Sequence, residues 1–243
     1  MKRGARGFTL TEVAIVLAII GLLLGSTLFT LTAQVESRNR ADTQRRLEDA
    51  RELLLSFALV NGRLPCPATT SGEEAGGGTA GCAASYGGFL PARTIGFQPS
   101  DSAGFGLDAW GNRMRYAVSA TQWGAAPARF TRQHSSAAAW SISQKPADLV
   151  VCGASPAGAT ALTCDAGTSL TNQHTVVALV FSTGKNGALG GGANEARNLD
   201  GNALFVSRPP DPPSAAGGEF DDLVVWIPVG LLYGRMVAAG VLP

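Results

Sequence analysis

Glu12 has the most unusual placement in the chain: it is a carboxylate at the head of a run, residues 13–31, that holds neither charge nor proline. Lys2, Arg3 and Arg6 precede it. Carried to the centre of a bilayer, an ionised side chain costs roughly 2.5–3.5 kcal/mol, so a carboxylate at the edge of such a run points to a function and to a compensating partner. Four cysteines form a second chemical set, with Cys66 and Cys82, then Cys152 and Cys164, falling into two sequence-local pairs within stretches rich in Gly, Ala, Ser and Thr. Three connectivities are open to four cysteines. Local pairing closes short loops that no core would order, and it requires an oxidising compartment. The alternative is four reduced, partly buried thiols. Zinc is disfavoured, because no Cys-x-x-Cys or Cys-x-x-His spacing occurs and His134 and His174 stand far from either pair.

Catalysis by the chain itself finds little support. No Gly-x-Ser-x-Gly elbow or paired-carboxylate motif accompanies the two histidines, so the chain reads as a non-enzyme. Ser182-Thr183-Gly184-Lys185 is like the end of a phosphate loop, yet Leu179 stands where the first glycine is needed. Residues 66–88, with Gly76-Gly77-Gly78, read as a surface loop.

These residues need elements to position them. As a helix, residues 13–31 extend roughly 28 Å, close to the hydrocarbon thickness of a bilayer. The basic residues before the run keep the N-terminus cytoplasmic and export the rest of the chain, in agreement with oxidised cysteines. Beyond the run, Leu47, Ala50, Leu54 and Phe57 recur at three- and four-residue steps among Arg45, Arg46, Glu48, Asp49, Arg51 and Glu52, an amphipathic continuation over residues 32–60. Asn61-Gly62 and Leu64-Pro65 stop it, so one helix over residues 8–60 runs roughly 80 Å.

Residues 61–243 then read as an exported β-rich domain, with strands at 175–182 and 220–227. With 45% hydrophobic and 15% charged residues, 31 glycines and 13 prolines, this part is loop-rich rather than a helical bundle. The fold class expected is α+β: a long N-terminal helix packed on an antiparallel sheet. Removing Lys2, Arg3 and Arg6 takes the basic residues from 19 to 16 against 18 acidic ones, a formal charge of −2. No basic cluster remains to neutralise phosphates, so nucleic acid is not an expected partner.

The stretch Arg6-Gly7-Phe8-Thr9-Leu10-Thr11-Glu12-Val13 resembles the prepilin cleavage and methylation motif of type IV pilins and type II secretion pseudopilins. The ordinary readings of an apolar N-terminal run are a secretory signal peptide or a plain signal anchor. The run exceeds the usual signal-peptide core, and no small-x-small cleavage site directly follows a short core.

The resemblance implies a leader, residues 1–7, cut between Gly7 and Phe8 by a prepilin peptidase that also methylates the new Phe8 amine. It implies assembly with other pilin or pseudopilin subunits from a single-pass position in inner-membrane lipid, the C-terminal domain being periplasmic. A side-chain-free Gly7 lets the scissile bond enter a narrow protease site, and Glu12 would compensate the Phe8 ammonium of its own chain or of a neighbour. Phe29 stands where many major pilins have a kink-forming proline, which favours a pseudopilin or minor pilin and leaves Gly21 and Gly25 as weak points.

Asp108-Ala109-Trp110-Gly111, followed by Tyr116, resembles a turn-to-strand element of pseudopilin-like domains, with Trp110 and Tyr116 as core residues. Asp200, Asn202, Asp211, Glu219, Asp221 and Asp222 lie in a region where major pseudopilins bind calcium, but without fixed ligand spacing they read as a solvated acidic loop. No cofactor is required, with calcium the one that the resemblance raises. The alternative to a filament subunit is an exported, membrane-anchored enzyme or binding module, which activity surviving deletion of residues 8–32 would favour.

Overall fold

Helix α1 spans Leu10–Asn61, 52 residues that run without interruption through Gly21 and Gly25. The structure, a computed structural model, describes residues 9–78, 81–121, 129–132, 147–158, 161–187, 191–215 and 217–241, apart from the side chains of residues 24–31. At its end, Gly62 takes φ +63° and its N–H donates to Ala58 O at 2.9 Å, a left-handed stop that glycine adopts without the Cβ clash of other residues. The chain divides into two compact units, Met1–Ala41 and Asp42–Pro243.

In the first unit the described apolar side chains all face solvent, from Leu10 at 87% exposure through Leu17 at 63% to Leu22 at 77%. Among the described residues no helix is long and apolar enough to cross a membrane. The span expected over residues 13–31 includes 24–31, whose side chains lie outside the described set.

From Asp42 onward α1 is part of a layered fold. Its face of Leu47, Ala50, Leu54, Leu55 and Ala58 is buried, with Phe57 packed at the margin. The partner is a four-stranded antiparallel sheet of order β1-β2-β4-β6, built from β1 (Gly88–Phe89), β2 (Arg115–Val118), β4 (Val176–Ser182) and β6 (Leu223–Pro228). Tyr116 faces Val180 across one ladder, and Leu179 faces Trp226 across the next. Alternation divides the strands between two cores: Tyr116, Val118, Val180, Val225 and Ile227 meet α1, whereas Ala117, Leu179 and Phe181 point to the other face.

That other face is covered by a pair the sequence reading did not separate, β3 (Val150–Cys152) and β5 (Leu204–Val206), which run parallel to each other. Leu149, Val151, Ala203 and Phe205 from this layer pack on Leu179 and Phe181. Strand β4 is therefore buried on both faces along its whole length, which is why its residues are apolar without alternation. Helix α2 (Ala92–Ile95) and α3 (Ala193–Leu199) are short, and α4 (Val229–Ala238) returns Leu232, Tyr233 and Met236 to the α1 side.

Residues 66–68, the start of the stretch 66–88 expected as a surface loop, are buried instead, as are Leu64 and Pro65 before them. Arg63 and Glu74 form two parallel 2.7 Å bonds, and Glu74 also accepts the Cys66 N–H at 3.1 Å. The Tyr116 hydroxyl donates to Pro65 O, and Ala68 pairs with Phe89 at the end of the sheet. Trp110, expected in the core, is only half-buried; Tyr116 is fully buried.

Disulfides join Cys66 to Cys82 and Cys152 to Cys164, with Cα atoms 5.3 and 5.5 Å apart. Closing a loop of this size removes roughly 3 kcal/mol of unfolded-chain entropy. Unreduced peptide mapping should recover these two cross-linked pairs, and the Cys66→Ser/Cys82→Ser double variant should lose about 3 kcal/mol of stability in denaturant titration. Four alkylatable thiols in protein isolated without reductant would refute both statements.

Candidate functional site

The start of α1 is set by a reciprocal cap. Thr9 is the last non-helical residue, and its Oγ1 accepts the Glu12 N–H at 3.3 Å while Glu12 Oε2 accepts the Thr9 N–H at 3.0 Å and its hydroxyl at 2.9 Å. A threonine followed three residues later by glutamate is the capping-box pattern, in which two otherwise unpaired N–H groups are satisfied at once. The Thr9 N–H and then its hydroxyl hold the Glu12 carboxyl below the usual carboxylate range. Thr-x-x-Glu is the sequence signal for this cap, a role that reading Glu12 only as a charge in need of a partner passes over. Gly7 and Phe8 lie outside the described residues, as do His134 and the expected pairing of Glu12 with the Phe8 amine.

A second polar centre sits under the C-terminal half of α1, from Asp42 onward. The buried Asp108 accepts the N–H groups of Trp110 and Asn112 at 2.9 and 2.8 Å through Oδ1, and the Ser182 hydroxyl at 2.6 Å through Oδ2. Helix α1 reaches the same turn, with Arg46 donating to the carbonyls of Leu107 and Asp108 and Thr43 accepting the Ala109 N–H. Burial raises the Asp108 pKa, against the lowering effect of these bonds. The Asp-x-Trp-Gly element is thus a turn that bolts helix to sheet, and every one of these bonds is structural.

The acidic C-terminal residues divide. Asp200 pairs with Arg197 and caps Asn202, and Asp211 pairs with Arg208. Asp221 and Asp222 are not solvated as expected but 5% and 7% exposed, and they meet Glu195 of α3, itself 1% exposed. One carboxylate oxygen from each lies within 4.8 Å of the other two. Glu195 accepts the Asp221 N–H at 2.7 Å, the Asn186 side-chain amide at 2.9 Å and the Gly191 N–H at 2.5 Å. Asp221 accepts the N–H groups of Lys185 and Asn186, and Asp222 accepts the Asn198 amide at 2.7 Å.

Two buried oxygens in this cluster, Asp221 Oδ1 and Asn186 Oδ1, have no hydrogen-bond partner among the described residues. The turn closes over them only because Gly184, at φ +61°, has no Cβ; one built there would lie 2.0 Å from Asp221 Oδ1. Burial, then repulsion among the carboxylates, pushes Asp221 up to about 6 and Asp222 up to about 8. An all-oxygen donor set with orphaned acceptors fits a hard divalent cation, for which twice the usual metal–oxygen distance is about 4.8 Å. Sequence reading missed Glu195 because it lies on a different element, more than twenty residues upstream, and no spacing rule links it to Asp221.

Residues 2–28 match the family described as the prokaryotic N-terminal methylation motif. The chain therefore carries, at its N-terminus, the signature of type IV pilins and pseudopilins. No curated protein and no solved structure matches the chain.

The raised pKa values make stability depend on pH. Below the unfolded carboxylate pKa both states are protonated and the cluster costs nothing; as pH rises toward about 8 the unfolded chain ionises first, so stability falls over that window. Burial is the main cause of this slope, and Glu195, Glu219 and Asp221 are the acidic neighbours that add to it. In chelator-treated protein, Asp222→Asn should flatten the loss of thermal stability between pH 5 and 8. A slope unchanged in that variant would show that Asp222 titrates normally.

Proposed function

We propose that the chain is a structural subunit of a type II secretion pseudopilus or a type IV pilus, a pseudopilin or minor pilin rather than an enzyme. The observation that carries this reading is the methylation motif over residues 2–28 together with the helix that follows it, whose described apolar side chains have no cover within the chain. Such a surface is costly in water and calls for lipid or for other helices.

On this reading residues 1–7 are a leader, prepilin peptidase cuts between Gly7 and Phe8 and methylates Phe8, and residues 13–31 cross the inner membrane with the N-terminus cytoplasmic. Residues 61–243 then lie in the periplasm, where the disulfides form. Other pilin or pseudopilin subunits replace lipid around α1 during assembly. Phe29, in place of a kink-forming proline, supports the pseudopilin or minor-pilin assignment.

Glu12 is the assembly residue, pairing its carboxylate with the Phe8 ammonium of a neighbour. Stranding one member of a buried ion pair costs roughly 3–5 kcal/mol in a dry interior and less at a hydrated membrane edge.

Two measurements test the reading. Intact-mass analysis of protein from its native membrane should show a chain beginning at N-methylated Phe8; the full-length chain alone, with the peptidase present, would refute it. Glu12→Gln keeps a side chain able to complete the cap with Thr9 while removing the charge. It should be cleaved and inserted normally, yet be depleted about tenfold or more from sheared filaments or crosslinked oligomers. Normal incorporation of Glu12→Gln beside defective Glu12→Ala would assign Glu12 to capping alone.

A further inference from the structure

We propose that the proline-rich segment at residues 208–213 of one copy of this chain docks in a groove between α1 and the edge strand β6 of a second copy. As a contact between assembled copies it rests on the filament reading for its setting. Groove and segment both belong to the folded unit Asp42–Pro243, so neither cleavage nor a membrane is needed for them to meet.

Strand β6 ends the sheet order β1-β2-β4-β6, so among the described strands it has a partner on one side only. The free side of such a strand presents backbone N–H and C=O groups, which folded proteins blunt with charge, proline or a covering element. Leu223-Val224-Val225-Trp226-Ile227 carries neither charge nor proline. Beside it lies a groove of about 390 Å³, lined by Glu48 and Arg51 of α1 and by Val224, Val225, Trp226 and Pro228 of β6. Val225 points to the α1 core, whereas Val224 and Trp226 pack toward the opposite one. Lining by both faces of the strand places the groove at its edge.

Residues 208–213 read Arg-Pro-Pro-Asp-Pro-Pro, and all four prolines are exposed. The proline ring fixes φ, so such a segment is largely ordered before it docks and loses little entropy on binding. Proline offers a carbonyl acceptor and no N–H, which suits it to a strand edge with N–H groups to spare. Aromatic-lined grooves host proline-rich segments for these reasons, and here Trp226 supplies the aromatic surface.

Charge selects a second copy as the occupant. Glu48 and Arg51 stand three residues apart and pair with each other, and Arg208 and Asp211 do the same. Both contacts run through a terminal nitrogen, Arg51 Nη2 to Glu48 Oε2 and Arg208 Nη2 to Asp211 Oδ2. The Nε atoms of both arginines are buried without a hydrogen-bond partner among the described residues. Donors left in that state are costly, and a guanidinium is best satisfied by a carboxylate that takes two parallel bonds. Exchanging partners between copies, Arg208 to Glu48 and Asp211 to Arg51, keeps the number of ion pairs and lets each guanidinium adopt the two-armed geometry. Groove and segment are different surfaces, so the contact is head-to-tail and, repeated, builds an open row of copies rather than a closed pair.

The test uses the full chain in detergent, with the photo-crosslinker benzoylphenylalanine in place of Pro210. Irradiation should join two chains, and mass spectrometry should map the bond to residues 44–51 or 224–231 of the second. Two double variants reverse the charges while each keeps its internal acid–base pair: Arg208→Asp with Asp211→Arg, and Glu48→Arg with Arg51→Glu. Either one alone juxtaposes like charges across the contact and should lower the crosslinked yield about tenfold, with Tm unchanged. All four substitutions in one chain should restore it. A yield that the quadruple variant does not restore, or bonds that map away from the groove, would overturn the contact. Sheared filaments that contain the chain yet give no bond from position 210 to the groove would overturn it too, and would leave the filament reading standing. A groove crosslink in a chain never cleaved after Gly7, with the peptidase present, would support the contact and remove the filament reading instead.

Discussion

Burial of the α1 face Leu47, Ala50, Leu54 and Ala58 against the antiparallel sheet is the contact on which the folded unit depends. Each leucine so buried is worth roughly 1.5–3 kcal/mol, and Ala50 and Ala58 complete the buried face. The sheet is fitted to this role, since Tyr116, Val118, Val180, Val225 and Ile227 reach the helix from three different strands. Once β4 is held there, its opposite face is apolar and must be covered, which the parallel pair β3 and β5 does. Three layers result from one helix face and one two-sided strand.

Loops make up much of the rest, and a repeated device orders them. A carboxylate accepts backbone N–H groups that no helix or strand would satisfy: Glu74 takes that of Cys66, Asp101 that of Phe105, Asp108 those of Trp110 and Asn112, and Glu195 those of Gly191 and Asp221. With 31 glycines and short strands, the chain has few large side chains to pin its turns. Charge-assisted bonds to N–H groups are stronger than neutral ones and substitute for packing. At Asp108 and Glu195 the same carboxylate also reaches another element, so a turn is pinned and a layer attached in one step. Burial of those acids is the cost, visible in the raised pKa of Asp108, Asp221 and Asp222.

How much of the fold was legible in the sequence depends on how local each feature is. The periodicity from Leu47 to Phe57 marks the buried face of α1, Asn61-Gly62 its end, and the apolar run at 175–182 strand β4, because each is decided within a few residues. The parallel pairing of β3 with β5 brings Val150 beside Leu204, more than fifty residues apart, and three-residue strands leave no periodic trace. The carboxylate cluster was half legible: Asp221 and Asp222 stand out in sequence, but their burial and their meeting with Glu195 depend on how α3 docks. Trp110 misled because size alone suggested the core, whereas the turn it occupies is organised by Asp108 and leaves the indole half-buried.

The cap at the start of α1 bears on how a carboxylate can serve both a helix and a neighbouring subunit. Only Oε2 of Glu12 is engaged among the described residues, by the N–H and hydroxyl of Thr9. Those bonds favour the ionised form, so the cap preserves the charge that pairing needs rather than consuming it. A helix start carries partial positive charge, and a carboxylate in its first turn is favourable there on its own account. Cleavage before Phe8 would add a full ammonium beside that positive end, where it is repelled by the helix dipole. On the proposed reading Glu12 would offset both charges from one position, with its orientation set by Thr9. The proposed pairing with a neighbour's ammonium would then demand no rotamer search of the carboxylate, which would lower the entropy lost at each addition. On the proposed reading, capping and assembly would be cooperative uses of one side chain, and the spacing that places threonine three residues before glutamate would serve both.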